Sequence, residues 1–244
     1  MANSYFQFKH FTVYQDRCAM KVTTDACLFG AWVADCISHS GLKNVRVLDI
    51  GTGTGLLALQ VAQKMEVPDI DAIEADESAA GQALENVGGS PWSAGVRVLH
   101  GDARVYPFNQ TYDIILSNPP FYENELKAND RRVNMARHDE SLLLHELLHI
   151  IRKQLRPGGR FFLLLPWKRQ ESVSQAFSSA RLSVSRVVKV KPAPDHEFFR
   201  VLIEGTHTGK QQMESISGEL CIRDENEEYS NAFTDLLREY YLYL

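Results

Sequence analysis

Residues 117–121 read Ser-Asn-Pro-Pro-Phe and close an apolar run, residues 112–117, of the kind that forms a buried strand. Two prolines cannot extend a sheet ladder, because neither has an N–H and each fixes φ. What they offer is rigidity. The amide oxygen of Asn118 and the carbonyl of Pro119 can both accept hydrogen bonds from one amine. Pro120 stiffens the loop, and Phe121 presents a flat ring on which a planar base can stack. Two such acceptors draw a conjugated –NH2 toward tetrahedral geometry and localise its lone pair for in-line attack on an electrophile. The proton can leave afterwards, so no strong base is required. The plainer reading is a turn that merely ends a strand.

Other strand ends favour the chemical reading. Residues 48–55 read Leu-Asp-Ile-Gly-Thr-Gly-Thr-Gly, where Gly51 and Gly53 let the backbone turn tightly beside a bound group. The spacing departs from the dinucleotide fingerprint, and Asp49 places a carboxylate where a pyrophosphate would be repelled. A carboxylate there suits a ligand with a cationic end, such as an amino acid's ammonium. Glu74 ends the next apolar run, where an acid can accept both hydroxyls of a ribose. Asp102, with Ala103 beside it, ends the third run and can accept from an adenine amine. Singly, Glu74 reads as a solvated charge and Asp102 as a helix cap. In order at three successive strand ends, the acids describe an amino acid, a ribose and an adenine, which together are S-adenosylmethionine.

The elements that would hold these residues follow from the hydrophobic pattern. Short apolar runs at residues 45–50, 69–75, 96–101, 112–117 and 159–166 alternate with amphipathic stretches. That order predicts an α/β fold, Rossmann-like, with a doubly wound, mostly parallel sheet. Near-continuous apolar strands fit a sheet covered on both faces. Residues 184–192 and 197–207 are joined by four residues, too few for a crossover, which predicts an antiparallel hairpin and an antiparallel edge strand. Residues 23–37 predict a helix capped by Thr24 or Asp25, and the aromatic end of the chain a closing helix.

Composition narrows the classes. The 244 residues are 44% hydrophobic and 23% charged, an ordinary globular balance with no repeat or linker, and the expectation is one domain over 1–244 with residues 1–40 as an N-terminal extension. A net charge of −5 excludes a globally basic nucleic-acid binder, so an RNA would need a local patch. Cys18, Cys27, Cys36 and Cys221 form no C-x-x-C pair and no metal-ligand spacing appears, so no metal is expected. Without a secretory or membrane-spanning run, the expected location is cytoplasmic.

The glycine loop and the Asn-Pro-Pro-Phe turn together resemble the class I methyltransferases that act on amino and amide nitrogens. Residues 6–32, 84–92 and 136–142 and the C-terminal tail are similar to the bacterial tRNA(Val) adenine-N6 methyltransferase family. The resemblance covers essentially the whole chain. It implies a seven-stranded sheet, S-adenosylmethionine as cofactor, and tRNA as substrate, methylated on an anticodon-loop adenosine. It also places Thr24 beside the methionine end of the cofactor. Phe121 stands where Tyr is usual, which keeps stacking and removes a hydroxyl.

Residues 124–141 carry Lys127, Arg131, Arg132 and Arg137 without apolar periodicity, so they are expected to form a loop that contacts RNA phosphates, with Lys21 extending the patch. The alternative is an ordinary solvated loop. For Phe6, Phe8 and Phe11, packing is favoured over base stacking. Two further functions compete: a glutamine N-methyltransferase acting on a protein, and a cofactor-binding module without catalysis. The few residues before the first strand weigh against the former, and the intact Asn118-Pro119-Pro120 weighs against the latter.

Overall fold

The computed structural model describes residues 3–119, 142–169, 176–207 and 216–244. Pro120, Phe121, Lys127, Arg131, Arg132 and Arg137 lie outside the described residues.

The chain begins with a small hairpin, β1 (Tyr5–Gln7) and β2 (Thr12–Tyr14). Phe8 and Phe11 are buried and stack with ring centroids 4.5 Å apart, so packing is indeed their part. Phe8 also bridges Tyr241, and the Lys9 N–H donates to the Tyr240 carbonyl at 2.8 Å. The first and last segments of the chain are thus sewn together.

Helix α1 (Thr24–Ser38) is capped by Thr23, one residue ahead of the expected cap. The Ala26 N–H is shared between the Thr23 hydroxyl at 3.4 Å and Asp25 Oδ1 at 3.1 Å, while Asp25 Oδ2 pairs with Arg200 at 2.7 Å. The main sheet then forms from β3 (Val47–Ile50), β4 (Ile70–Glu74), β5 (Val96–His100), β6 (Tyr112–Ser117), β7 (Leu155–Pro166), β8 (Ser183–Lys191), β9 (Arg200–Thr206) and β10 (Ile216–Cys221). The further helices are α2 (Leu56–Gln63), α3 (Glu77–Gly88), α4 (Leu144–Gln154) and α5 (Asn231–Leu237).

Strand order is β10-β8-β9-β7-β6-β3-β4-β5. Seven of these strands run one way and β9 runs against them. The predicted hairpin is present, as β8 and β9 pair antiparallel. Its position differs from expectation: the reversed strand lies inside the sheet, and β10 is the edge. Val201, Leu202 and Ile203 are all buried, as in a strand covered on both faces, and β9 pairs with β7 on one side and β8 on the other. With β10 the sheet has eight strands, one more than the resemblance implies. The polar sequence of β10, Ile-Ser-Gly-Glu-Leu-Cys, carries no apolar run to announce it.

Adjacent residues of one strand serve opposite faces. Ile114 and Leu116 of β6 join a cluster with α1 and α2, while Ile115 joins another with Leu148 and Ile151 of α4. Helices therefore cover both faces, and the sheet's strand ends are left to form the site.

Candidate active site

β3, β4, β5 and β6 are parallel, so their carboxyl ends share one side of the sheet. The chain leaves β3 through β4 and β5 in one direction and returns to β6 on the other flank. A crevice opens where strand order reverses in this way, and ligands of open α/β sheets bind there.

The two motifs meet across that reversal. Asp49 of β3 pairs in register with Leu116 of β6, and the buried Ser117 hydroxyl donates to the Ile50 carbonyl at 2.7 Å. Ser117 thereby fixes the start of the Asn118-Pro119 turn beside the start of the glycine loop. Asn118 is half-buried and Pro119 buried.

The glycine loop is held open by its backbone. Gly51 has φ +72° and Gly53 φ +56°, conformations that side chains resist. A Cβ built on either meets nothing within 4 Å, so backbone conformation selects glycine and space remains beside the loop. Glu74 braces it by accepting the Gly53 N–H at 2.9 Å and the Asp76 N–H at 3.0 Å. A carboxylate can accept about four hydrogen bonds, so Glu74 retains capacity for hydroxyls.

Asp49 has no exposed surface. Its Oδ2 accepts from Thr52 at 2.6 Å, while Oδ1 is buried without a hydrogen-bond partner among the described residues. Burial pushes its pKa up to about 7, with the Thr52 hydrogen bond pulling the other way. An orphaned buried carboxylate oxygen beside an open glycine loop is suited to a cationic ligand group.

Asp102 sits just past β5, as expected, but it is engaged. Arg104 Nε lies 3.0 Å from Oδ1 and 2.8 Å from Oδ2, and Nη2 lies 2.7 Å from Oδ2. These bonds hold the Asp102 carboxyl below its usual range. Arg104 also faces Glu146 of α4 at 3.6 Å. Ala103 is half-buried next to it. Thr24 is exposed on the first turn of α1, which the Asp25–Arg200 ion pair fixes near the carboxyl end of β7, since Arg200 pairs with Pro166.

Lys21 departs from its expected surface role. Its Nζ donates to the carbonyls of Gln15 and Cys18, stapling residues 15–22 into a closed loop. Sequence reasoning also missed Thr52, Ser117, Arg104 and Asn86. For Asn86 a signal existed: Gln82 and Asn86 are amides four apart on an alanine-rich helix, and both are buried. Among the described residues no cluster of His, Cys, Asp or Glu is arranged to hold a metal ion, and no helix is long and apolar enough to cross a membrane.

A parallel sheet with its glycine loop after β3 and an amide–proline turn after β6 defines a class I, S-adenosylmethionine-dependent methyltransferase. Residues 31–183 match the family model described as the methyltransferase small domain, and the chain belongs to that family. It is 41% identical over 246 residues, all of both chains, to the Bacteroides thetaiotaomicron protein named tRNA1(Val) (adenine(37)-N6)-methyltransferase. A Parabacteroides distasonis protein of the same name is 41% identical, with 99% of each chain covered. Among solved structures, a predicted O-methyltransferase from Agrobacterium tumefaciens superposes with a TM-score of 0.66 at 16% identity, covering 88% of this chain and 96% of that one. That similarity shows the fold. S-adenosylmethionine is the cofactor of this class, and the orphaned Asp49 oxygen, the open space at Gly51 and Gly53, and the spare capacity of Glu74 fit it.

Proposed function

We infer that this chain methylates N6 of an adenosine in tRNA, the anticodon-loop adenosine at position 37 that its relatives are named for. The observation that carries the reading is identity at 41% along the entire chain to relatives of that printed activity.

When bound, S-adenosylmethionine would supply an electrophilic methyl group whose bond to sulfur breaks, leaving a neutral thioether, as the bond to nitrogen forms. Asp49 receives its ammonium, Thr24 lies by the same end, and Gly51 and Gly53 let the backbone close against it. Glu74 accepts from the ribose hydroxyls, and Asp102, with Ala103 alongside, from the adenine amine. At the target, the Asn118 amide oxygen and the Pro119 carbonyl accept the two N–H bonds of the adenine amine and turn its lone pair toward the methyl group. Pro119 has no N–H of its own to compete, and its buried ring limits movement of the acceptors. The amine's surplus proton then leaves to water. Phe121 stacks on the target base, and Lys127, Arg131, Arg132 and Arg137 contact tRNA phosphates. The whole chain, residues 1–244, works as one unit.

The test is methyl transfer from labelled S-adenosylmethionine to unmodified tRNA, with total protein in parallel and nucleosides resolved after digestion. Label in N6-methyladenosine is expected. Asn118→Ala should lower turnover by about 10²-fold or more while leaving cofactor affinity nearly unchanged. Label in protein alone would move the substrate to a glutamine amide, and a variant with wild-type turnover would remove Asn118 from the chemistry.

A further inference from the structure

Asn86, in the last turn of α3 and 2% exposed, makes three hydrogen bonds to two other parts of the chain. Its Oδ1 accepts the Tyr14 N–H at 2.9 Å, and its Nδ2 donates to the Tyr14 carbonyl at 2.8 Å. The same Nδ2 donates to the Thr54 carbonyl at 2.9 Å. One amide thus pairs with β2 as a neighbouring strand would and also grips the glycine loop. Gly53 N–H goes to Glu74 and Thr54 carbonyl to Asn86, so consecutive residues of the loop are tied to α3 and to the end of β4.

The tether continues beyond Tyr14. Gln82, one turn earlier on α3, accepts the Arg17 N–H at 3.1 Å. Gln15 Oε1 accepts the Val22 N–H at 2.7 Å, closing the same loop that Lys21 staples. The closed loop lies along α3, where the Arg17 side chain also pairs with Glu85. It delivers the chain to Thr23, the cap of α1. Two walls of the candidate cofactor site, the glycine loop and the start of α1, therefore depend on how the N-terminal hairpin docks.

We propose that Asn86 is a positioning residue that couples docking of the N-terminal segment to the cofactor-binding shape of the glycine loop. This rests on the reading that S-adenosylmethionine binds at that loop, and is independent of which molecule receives the methyl group. Coupling of this sort is reciprocal: whatever factor docking contributes to cofactor affinity, the cofactor returns to docking. Replacing Asn86 strips the loop of one constraint and the hairpin of two. A residue that only supported the fold would lower stability without changing the affinity of the molecules that remain folded.

The experiment pairs calorimetry with hydrogen–deuterium exchange, using the full chain and S-adenosylmethionine alone. In the wild type, the cofactor should slow exchange in residues 5–22. In Asn86→Ala, affinity should fall about 5- to 150-fold, the usual range of coupling between sites, and the slowing should vanish. Asn86→Asp guards against a variant that fails to fold. Ionised, its carboxylate faces the Tyr14 and Thr54 carbonyls and repels them; protonated, it regains one donor. Its affinity relative to wild type at the same pH should therefore recover as pH falls. A folded Asn86→Ala with wild-type affinity, or a wild type whose hairpin exchange ignores the cofactor, overturns the proposal. A wild type that binds no S-adenosylmethionine overturns both this and the cofactor site it rests on.

Discussion

A carboxyl group without exposed surface is costly to ionise, and Asp49 carries that cost at the centre of the site. A pKa raised from 3.8 to about 7 means that the folded chain holds this proton more tightly than the unfolded chain. The stability linked to it is fully present below about pH 3.8 and is lost as pH rises through 7. Asp49→Asn should remove that decline, of at most about 1.4 kcal/mol per pH unit, so thermal melts should show it gaining on wild type between pH 5 and pH 8. Cofactor affinity should move the other way. The ionised form attracts the ammonium, so wild-type affinity climbs through pH 7, while the variant binds weakly at every pH. Calorimetry from pH 6 to 8 reads both, and identical pH profiles would separate Asp49 from the ammonium. The acids at the strand ends were legible in the sequence because their type and order carry the information. Their partners were not, since Arg104 on Asp102 and Thr52 on Asp49 are matters of side-chain direction.

Among elements, β9 holds the greatest consequence. It runs against its neighbours, yet three of its residues are core, and Gly205 lets it lie close to β7. A Cβ there would stand 2.1 Å from Phe161 Cζ and 2.6 Å from the Ser183 carbonyl. Overpacking of this kind costs about 1–3 kcal/mol, more where backbone is one of the clashing partners. Gly205→Ala should lower the urea midpoint accordingly, whereas the same change at exposed Gly88, where a Cβ meets nothing within 4 Å, should not. The β8–β9 pairing was legible because the connection, residues 192–199 in the structure, is too short for a crossover, although the two apolar runs overstated the strands by a few residues at the turn. Its place inside the sheet was not, because apolar runs report how much of a strand is buried and not which strands flank it. β10 was invisible for the complementary reason, as an edge strand needs few apolar residues.

For the whole molecule, charge sets the terms of any encounter with tRNA. At a net charge of −5 the chain as a whole repels a polyanion, so binding must rest on local cations. If residues 131–137 supply them, tRNA affinity should fall steeply with salt. Replacing Arg131, Arg132 and Arg137 by alanine should then flatten log affinity against log salt by about 0.7–0.9 for each phosphate that is no longer neutralised. Filter binding across a salt series measures this, and an unchanged slope would place the cations elsewhere on the surface.

The seam between Phe8 and Tyr241 has a bearing on synthesis. Phe8 leaves the ribosome long before Tyr240 and Tyr241 exist, and a nascent chain lengthens at about 5–20 residues per second. For roughly ten to fifty seconds the rings of Phe6 and Phe8 lack Tyr241, which later packs against both. The hairpin that Asn86 ties to the glycine loop is thus made before the central strands and completes its packing after them. A ribosome-bound chain lacking α5 should hold its central strands and still be unable to retain S-adenosylmethionine.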